Sequence, residues 1–101
     1  MSFKVRFHPE AQIDLTDALD WYENIDHKIT IDFFRVITIS IDYIKRNPFG
    51  FSKRYKNVRV LPLKKYPYLI CYFIDEPSET INIIAIFNSY RDPVKWQKRV
   101  K

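Results

Sequence analysis

Two apolar runs, "YLICYFID" (residues 68–75) and "TINIIAIFN" (residues 80–88), constrain this chain more than any other feature. Each has strand length and is rich in β-branched and aromatic residues. The first is apolar on both faces, which makes it a central strand of a sheet, and the second is another nearly continuous apolar strand. "PSE" between them supplies the turn of a hairpin. A strand that is apolar on both sides needs cover on both. The rest of the chain, or a partner, must provide two layers.

The residues before Pro48 follow a different period. "FKVRF" alternates and reads as a first strand. "HPEAQIDLTDALDWYEN" reads as a helix with Pro9 in its first turn and Glu10 at its positive end. Ala11, Leu15, Ala18, Leu19 and Tyr22 make its apolar stripe. Asp14, Asp17 and Asp20 fall on or beside the other face and read as solvation. "KITIDFFRVITISIDYIKRNP" fits two patterns: Ile37, Ile39, Ile41 and Tyr43 alternate like a strand, whereas Phe33, Phe34, Ile37, Ile41 and Ile44 make a helical stripe. Its length and its basic end before "NP" favour a helix paired with the first as a hairpin. After Pro48 the period becomes two. "NVRVLPL" reads as a strand, with part of it at an edge because Pro62 lies near its end. "DPVKWQKRV" reads as a last short helix, with Asp92 as cap and Pro93 in first position. The order β-α-α-β-β-β(-α) predicts an α+β fold, a helical hairpin on a small, mainly antiparallel sheet.

A chain of 101 residues is enough for one domain, here residues 1–101. One glycine and six prolines do not describe a flexible linker. No apolar run is long enough to span a membrane, and "MSFKVRF" lacks the apolar core of a secretion signal. Cys71 stands alone, which forbids an intramolecular disulfide and fits a reducing cytoplasm. The net charge of +5 conceals an asymmetry. Residues 1–42 carry eight acids and four bases, net −4, and residues 43–101 carry four acids and thirteen bases, net +9. The basic half implies an acidic partner, either nucleic acid or an acidic stretch of protein.

Taken with their order, four stretches resemble the RelE/ParE superfamily of bacterial toxins. They are "HPEAQIDLTDALDWYE", "NPFGF", "VRVLPLKKYPYLICYFID" and "RDPVKW". The resemblance covers nearly the whole chain and leans to the ParE branch, often called plasmid-stabilisation proteins. It implies the toxin of a type II toxin–antitoxin pair, held inactive in a hetero-oligomer by a cognate antitoxin. Toxins of the ParE branch poison DNA gyrase; those of the RelE branch cut messenger RNA on the ribosome. The resemblance implies gyrase as the target, with messenger cleavage or a decayed, antitoxin-binding member as alternatives. No cofactor, metal or membrane is expected.

Metal-free RNA cleavage would need a base, an acid and cations for the phosphate. Arg54, Arg59, Lys64, Lys65 and Arg91 are candidate cations for a target or phosphate, with Asn88 as a further polar contact. The acid–base set is thin. His8 and His27 read as helix-start and turn residues, and Glu79 as a turn residue. Many relatives carry a histidine where this chain has Asn88, and asparagine does not titrate. If there is catalysis, Tyr90, Arg91 and Arg59 are its candidates, and "FNSYRDPVKW" (residues 87–96) is first a binding rim. Trp96 reads as an anchor of the last helix on the sheet.

Overall fold

The computed structural model describes residues 3–100. A strand β1 (Lys4–Phe7) leads into helices α1 (Pro9–Glu23) and α2 (His27–Arg46). Strands β2 (Lys53–Tyr55), β3 (Val58–Pro62), β4 (Tyr68–Asp75) and β5 (Thr80–Asn88) follow, then a short helix α3 (Val94–Gln97). The sheet order is β1-β5-β4-β3-β2; β1 and β5 run parallel and the other pairs antiparallel. This is the expected α+β architecture with one addition, β2. "KRY" is short and polar, and it becomes a strand only because β3 lies beside it.

The second segment is helical, so its ambiguity resolves by burial: Phe33, Ile37 and Ile44 are buried, whereas Ile39 and Tyr43 are exposed, and Phe34, which its spacing put in the helical stripe, is exposed as well. Asp26 starts α2 by accepting the Lys28 N–H at 2.9 Å, and Asn47 ends it. α1 and α2 cover one face of the sheet. Their side chains meet Leu61, Ile70, Tyr72, Ile81, Ile83 and Ile86 in the main core. A bulge keeps β5 in phase with that core. Cys71 pairs with Ala85 and Tyr72 with Ile83, so Ile84 is an extra residue. Without it, Ile83 and Ile86 could not face the same side.

The other face is where the sequence left cover in question. Val58, Val60, Cys71, Ile84, Ala85 and Phe87 form a second core there, closed by Trp96. Trp96 is buried and meets Tyr55 edge-on at 6.0 Å, so it does anchor the terminal helix. The chain's own tail thus supplies the second layer. Its large exposed apolar residues lie mostly on the helices, among them Trp21, Phe34, Ile39 and Tyr43. Among the described residues, the large apolar side chains left exposed are therefore mainly on the helical side and not on the sheet.

Candidate functional site

α1 brings Asp14, Asp17, Ala18 and Trp21 onto one flank, because residues three, four and seven apart share a helix face. That flank faces the end of β5 and the segment after it. Between them lies a cleft of about 410 Å³, whose other wall includes Asn88, Arg91, Lys95 and Arg99. Tyr68, Ile86 and Phe87 contribute its apolar part.

An ion pair forms one end of the cleft. Arg99 donates to Asp14 from Nη1 at 2.6 Å and from Nη2 at 3.1 Å, a two-pronged contact between largely buried side chains. The Asp14 hydrogen bonds raise the Arg99 pKa against the opposing effect of burial. Both groups also serve the sheet. Asp14 accepts the Ile86 N–H at 3.0 Å, and Arg99 donates to the Ile84 carbonyl at 3.0 Å. Glu10 adds a weaker contact to Arg99 at 3.4 Å. The reading of Asp14 as surface solvation is therefore wrong. Its flank sits close enough to the core for the carboxylate to turn under the helix and meet the backbone of β5.

The rim is different in character. Arg91 and Lys95 are exposed cations, and Trp21 is an exposed aromatic face beside them. The Asn88 amide oxygen accepts the Tyr90 N–H at 2.9 Å, which fixes the turn that presents Arg91. Asp92 accepts the Val94 N–H at 3.0 Å and starts α3 one residue later than the sequence suggests. Tyr90 itself is 87% exposed and is not part of the cleft wall.

Of the residues singled out from sequence, only Asn88 and Arg91 meet in this cleft. Arg59 bonds to the Phe51 carbonyl at 2.6 Å and the Phe49 carbonyl at 3.3 Å, with its guanidinium over the Phe49 ring. It pins the loop after α2. Arg54 is exposed on β2. Lys64 and Lys65 stand at a second, apolar depression of about 540 Å³ between α2 and the end of β3. Lys65 pairs there with Asp32 at 2.9 Å, and the Tyr66 hydroxyl donates to the same carboxylate oxygen at 2.5 Å. The Tyr66 and Lys65 bonds hold the Asp32 pKa low, whereas burial and Asp32 push the Tyr66 phenol up to about 12.

The histidines are elsewhere. His27 contacts Glu23 at 2.8 Å on the exposed helix turn, and this bond lowers the Glu23 pKa. His8 precedes α1 but makes no side-chain cap. Its Nε2 lies 3.1 Å from the Asn82 amide oxygen, and its ring meets Phe73 edge-on at 6.0 Å. It is a half-buried sheet contact and not a capping or solvated group. Asn82 and Asn88 are six residues apart on β5, about 20 Å along a strand. His8 is thus at the opposite end from the rim. Among the described residues, no three His, Cys, Asp or Glu side chains converge as a metal site requires. Arg91 and Lys95 give the cleft two exposed cations facing the exposed Asp17 carboxylate on α1, and Trp21 gives it a flat apolar face. The cleft brings no histidine to these cations.

A sequence model described as the ParE toxin of type II toxin-antitoxin system, parDE, matches residues 5–93. In fold the chain is similar to one from the chromosomal ParDE toxin–antitoxin system of P. aeruginosa. The TM-score is 0.74 at 17% identity, covering 85% of this chain and 95% of that one. It is also similar to a chain of a RelBE toxin–antitoxin complex from Mycobacterium tuberculosis. There the TM-score is 0.58 at 18% identity, with 87% and 99% covered. No curated protein matches.

Proposed function

The chain belongs to the ParE toxin family of type II toxin–antitoxin systems, and from that premise we propose that it is a toxin neutralised by a cognate antitoxin in the cytoplasm, which acts by binding DNA gyrase without covalent chemistry of its own. One observation carries the choice of binding over catalysis. The cationic rim of Arg91 and Lys95 stands next to Asn88, while both histidines are engaged at other places. A rim that can hold a polyanion but brings no titrating imidazole to it is suited to recognition. The basic half of the chain supports the same reading, since gyrase works on DNA.

The test uses the purified protein in two assays, DNA supercoiling by gyrase and messenger integrity in a translation reaction. Supercoiling should fall while messenger RNA stays intact. Arg91→Ala should weaken the inhibition on the order of tenfold, the worth of a charge-assisted contact. Tyr90→Phe keeps the ring and removes one hydroxyl, so it should leave inhibition within about the 1 kcal/mol of a neutral hydrogen bond. Messenger cleavage by the wild type that disappears in Tyr90→Phe would overturn this reading in favour of an endoribonuclease. Inhibition of neither target, with antitoxin binding retained, would leave a decayed member.

A further inference from the structure

The longest stretch of the chain without a carboxylate side chain runs from Tyr43 to Ile74 and carries eight bases. The fold sorts these bases by partner. Arg46 pairs with Asp42 and Lys65 with Asp32. Arg59 is held by the Phe49 and Phe51 carbonyls. Lys45 and Lys64 are exposed but lie apart, at the end of α2 and after β3. Lys53, Arg54 and Lys56 are exposed together, and among the described residues none of them makes an ion pair. All three belong to the hairpin of β2 and β3, at the outer edge of the sheet.

This hairpin is more than a guarded edge. Tyr55 pairs with Val58, so Lys56 and Asn57 form the turn. Lys56 stands there at φ 52°, in the left-handed region that favours glycine or asparagine. A cation on an edge strand protects it from pairing, but a lysine in the turn protects nothing and is held against its conformational preference. The other edge has no such surplus. Lys4 of β1 lies opposite Thr80, which lies opposite Asp75, and Glu76 and Glu79 share that turn.

Three clustered cations without counter-charges call for phosphate. Lys53 to Lys56 spans about 10 Å of chain, and duplex DNA carries a negative charge every ~1.7 Å of its axis. A protein partner would need an apolar anchor at the contact, and a single strand would need open aromatic faces for its bases. The hairpin offers neither. Tyr55, its one aromatic residue, meets Trp96 edge-on at 6.0 Å and has the Lys56 ammonium 5.5 Å from its ring centre.

We propose that the β2–β3 hairpin binds the sugar–phosphate backbone of duplex DNA through Lys53, Arg54 and Lys56, without reading its sequence. β2 is three strand spacings, about 14 Å, from β5, so this site is separate from the rim of Arg91 and Lys95. The inference goes beyond the gyrase reading and does not rest on it, because it gives the chain a direct hold on DNA.

The experiment follows the anisotropy of a labelled duplex of arbitrary sequence as the purified full chain is added at several salt concentrations. The same strand unpaired, and polyglutamate as an acidic polypeptide, serve as competitors. Lys53→Gln, Arg54→Gln and Lys56→Gln should each weaken binding alike on unrelated duplexes and reduce the slope of log affinity against log salt by about one. Lys28→Gln removes the same formal charge at the start of α2, and it should leave the slope unchanged. Lys56→Gly should lose the same unit of slope and melt no lower than the wild type, since glycine accepts the left-handed turn. Absence of duplex binding, equal slopes in the wild type and the hairpin variants, or stronger binding to the single strand or to polyglutamate overturns the inference. Each of these results leaves the toxin–antitoxin reading standing, because neutralisation by the protein encoded beside this chain is a separate measurement.

Discussion

The two faces of the sheet are both dry, but they are closed by different means. Helices of 15 and 20 residues lie over the first face and fill it with Phe33, Ile37, Ile44 and the small Ala11 and Ala18. Over the second face there is a four-residue helix with one large anchor, Trp96, and partial help from Val100. Apolar area is the main hold on the first layer, with the Asp32 ties to Lys65 and Tyr66 beside it. The second depends as well on the pair Asp14–Arg99, which crosses from α1 to the tail and ties both to β5. One layer is secured by many weak contacts and the other by a few strong ones. Few contacts make a layer easier to undo without unfolding the whole.

The largest expected effect is on the first face. Phe33→Ala removes a fully buried ring that meets Tyr22, Tyr66 and Tyr68. It should cost about 3–5 kcal/mol in urea unfolding. Arg99→Met comes next. It leaves Asp14 and the Ile84 carbonyl without their partner, and it should cost about 2 kcal/mol, below the loss for a fully buried pair because each side chain keeps some exposure. Adding Asp14→Asn to that variant should recover part of the loss, since the lone carboxylate is then gone.

Cys71 distinguishes the two modes of closure. It is fully buried in the second core, and burial pushes its pKa up to about 12, so alkylation near neutral pH must wait for an opening. If the second face opens by itself, Arg99→Met should speed labelling on the order of tenfold or more, and Phe33→Ala should speed it less despite its larger global cost. The reverse order would mean that the two layers open as one.

The smallest effect concerns Asp32 and Tyr66, which join α2 to the turn between β3 and β4. Asp32 is held below its usual 3.8 in the fold. Its contribution is therefore complete above that value and is lost as pH falls through the lower folded-state pKa. Tyr66 is raised from 10.0 to about 12, so its contribution is complete below 10.0 and is lost as pH rises through about 12. Asp32→Asn should lower the melting temperature slightly at neutral pH. The difference from wild type should shrink in strong acid, where the wild-type carboxylate is also protonated. A gap that persists unchanged there would assign the effect to packing.

Particular residues show what the sequence made legible and what it did not. The helical stripes, the two central strands and the anchoring role of Trp96 follow from period and composition, because burial writes itself into apolar spacing. β2 did not follow, since Lys53 and Arg54 carry no such mark; the strand forms because Lys53 and Tyr55 come to lie opposite Arg59 and Val58 of β3. Asp14 offered a signal that a two-face view of α1 hides. Its spacing to Ala18 and Trp21 puts it on the flank of the stripe and not opposite it. Arg99 offered none. Among thirteen bases after residue 42, nothing local separates the one that meets α1 from those that meet water. Asn88 and Arg91 were found because a strand end followed by a proline turn is a local pattern. Arg59 looked equally exposed by alternation, but two loop carbonyls occupy it.

The Asp14–Arg99 pair also bears on how the sheet edge is closed. β1 pairs with β5 only from Thr80 to Ile83, and past that point the side chains of Asp14 and Arg99 take the β5 groups that a neighbouring strand would otherwise take. The two residues are 85 positions apart. In a partly folded chain whose residue 99 has not docked, the Ile84 carbonyl lacks its cap and this stretch of β5 is more open to pairing with another copy. Docking of the tail, and not only formation of the strand, is therefore what closes this edge.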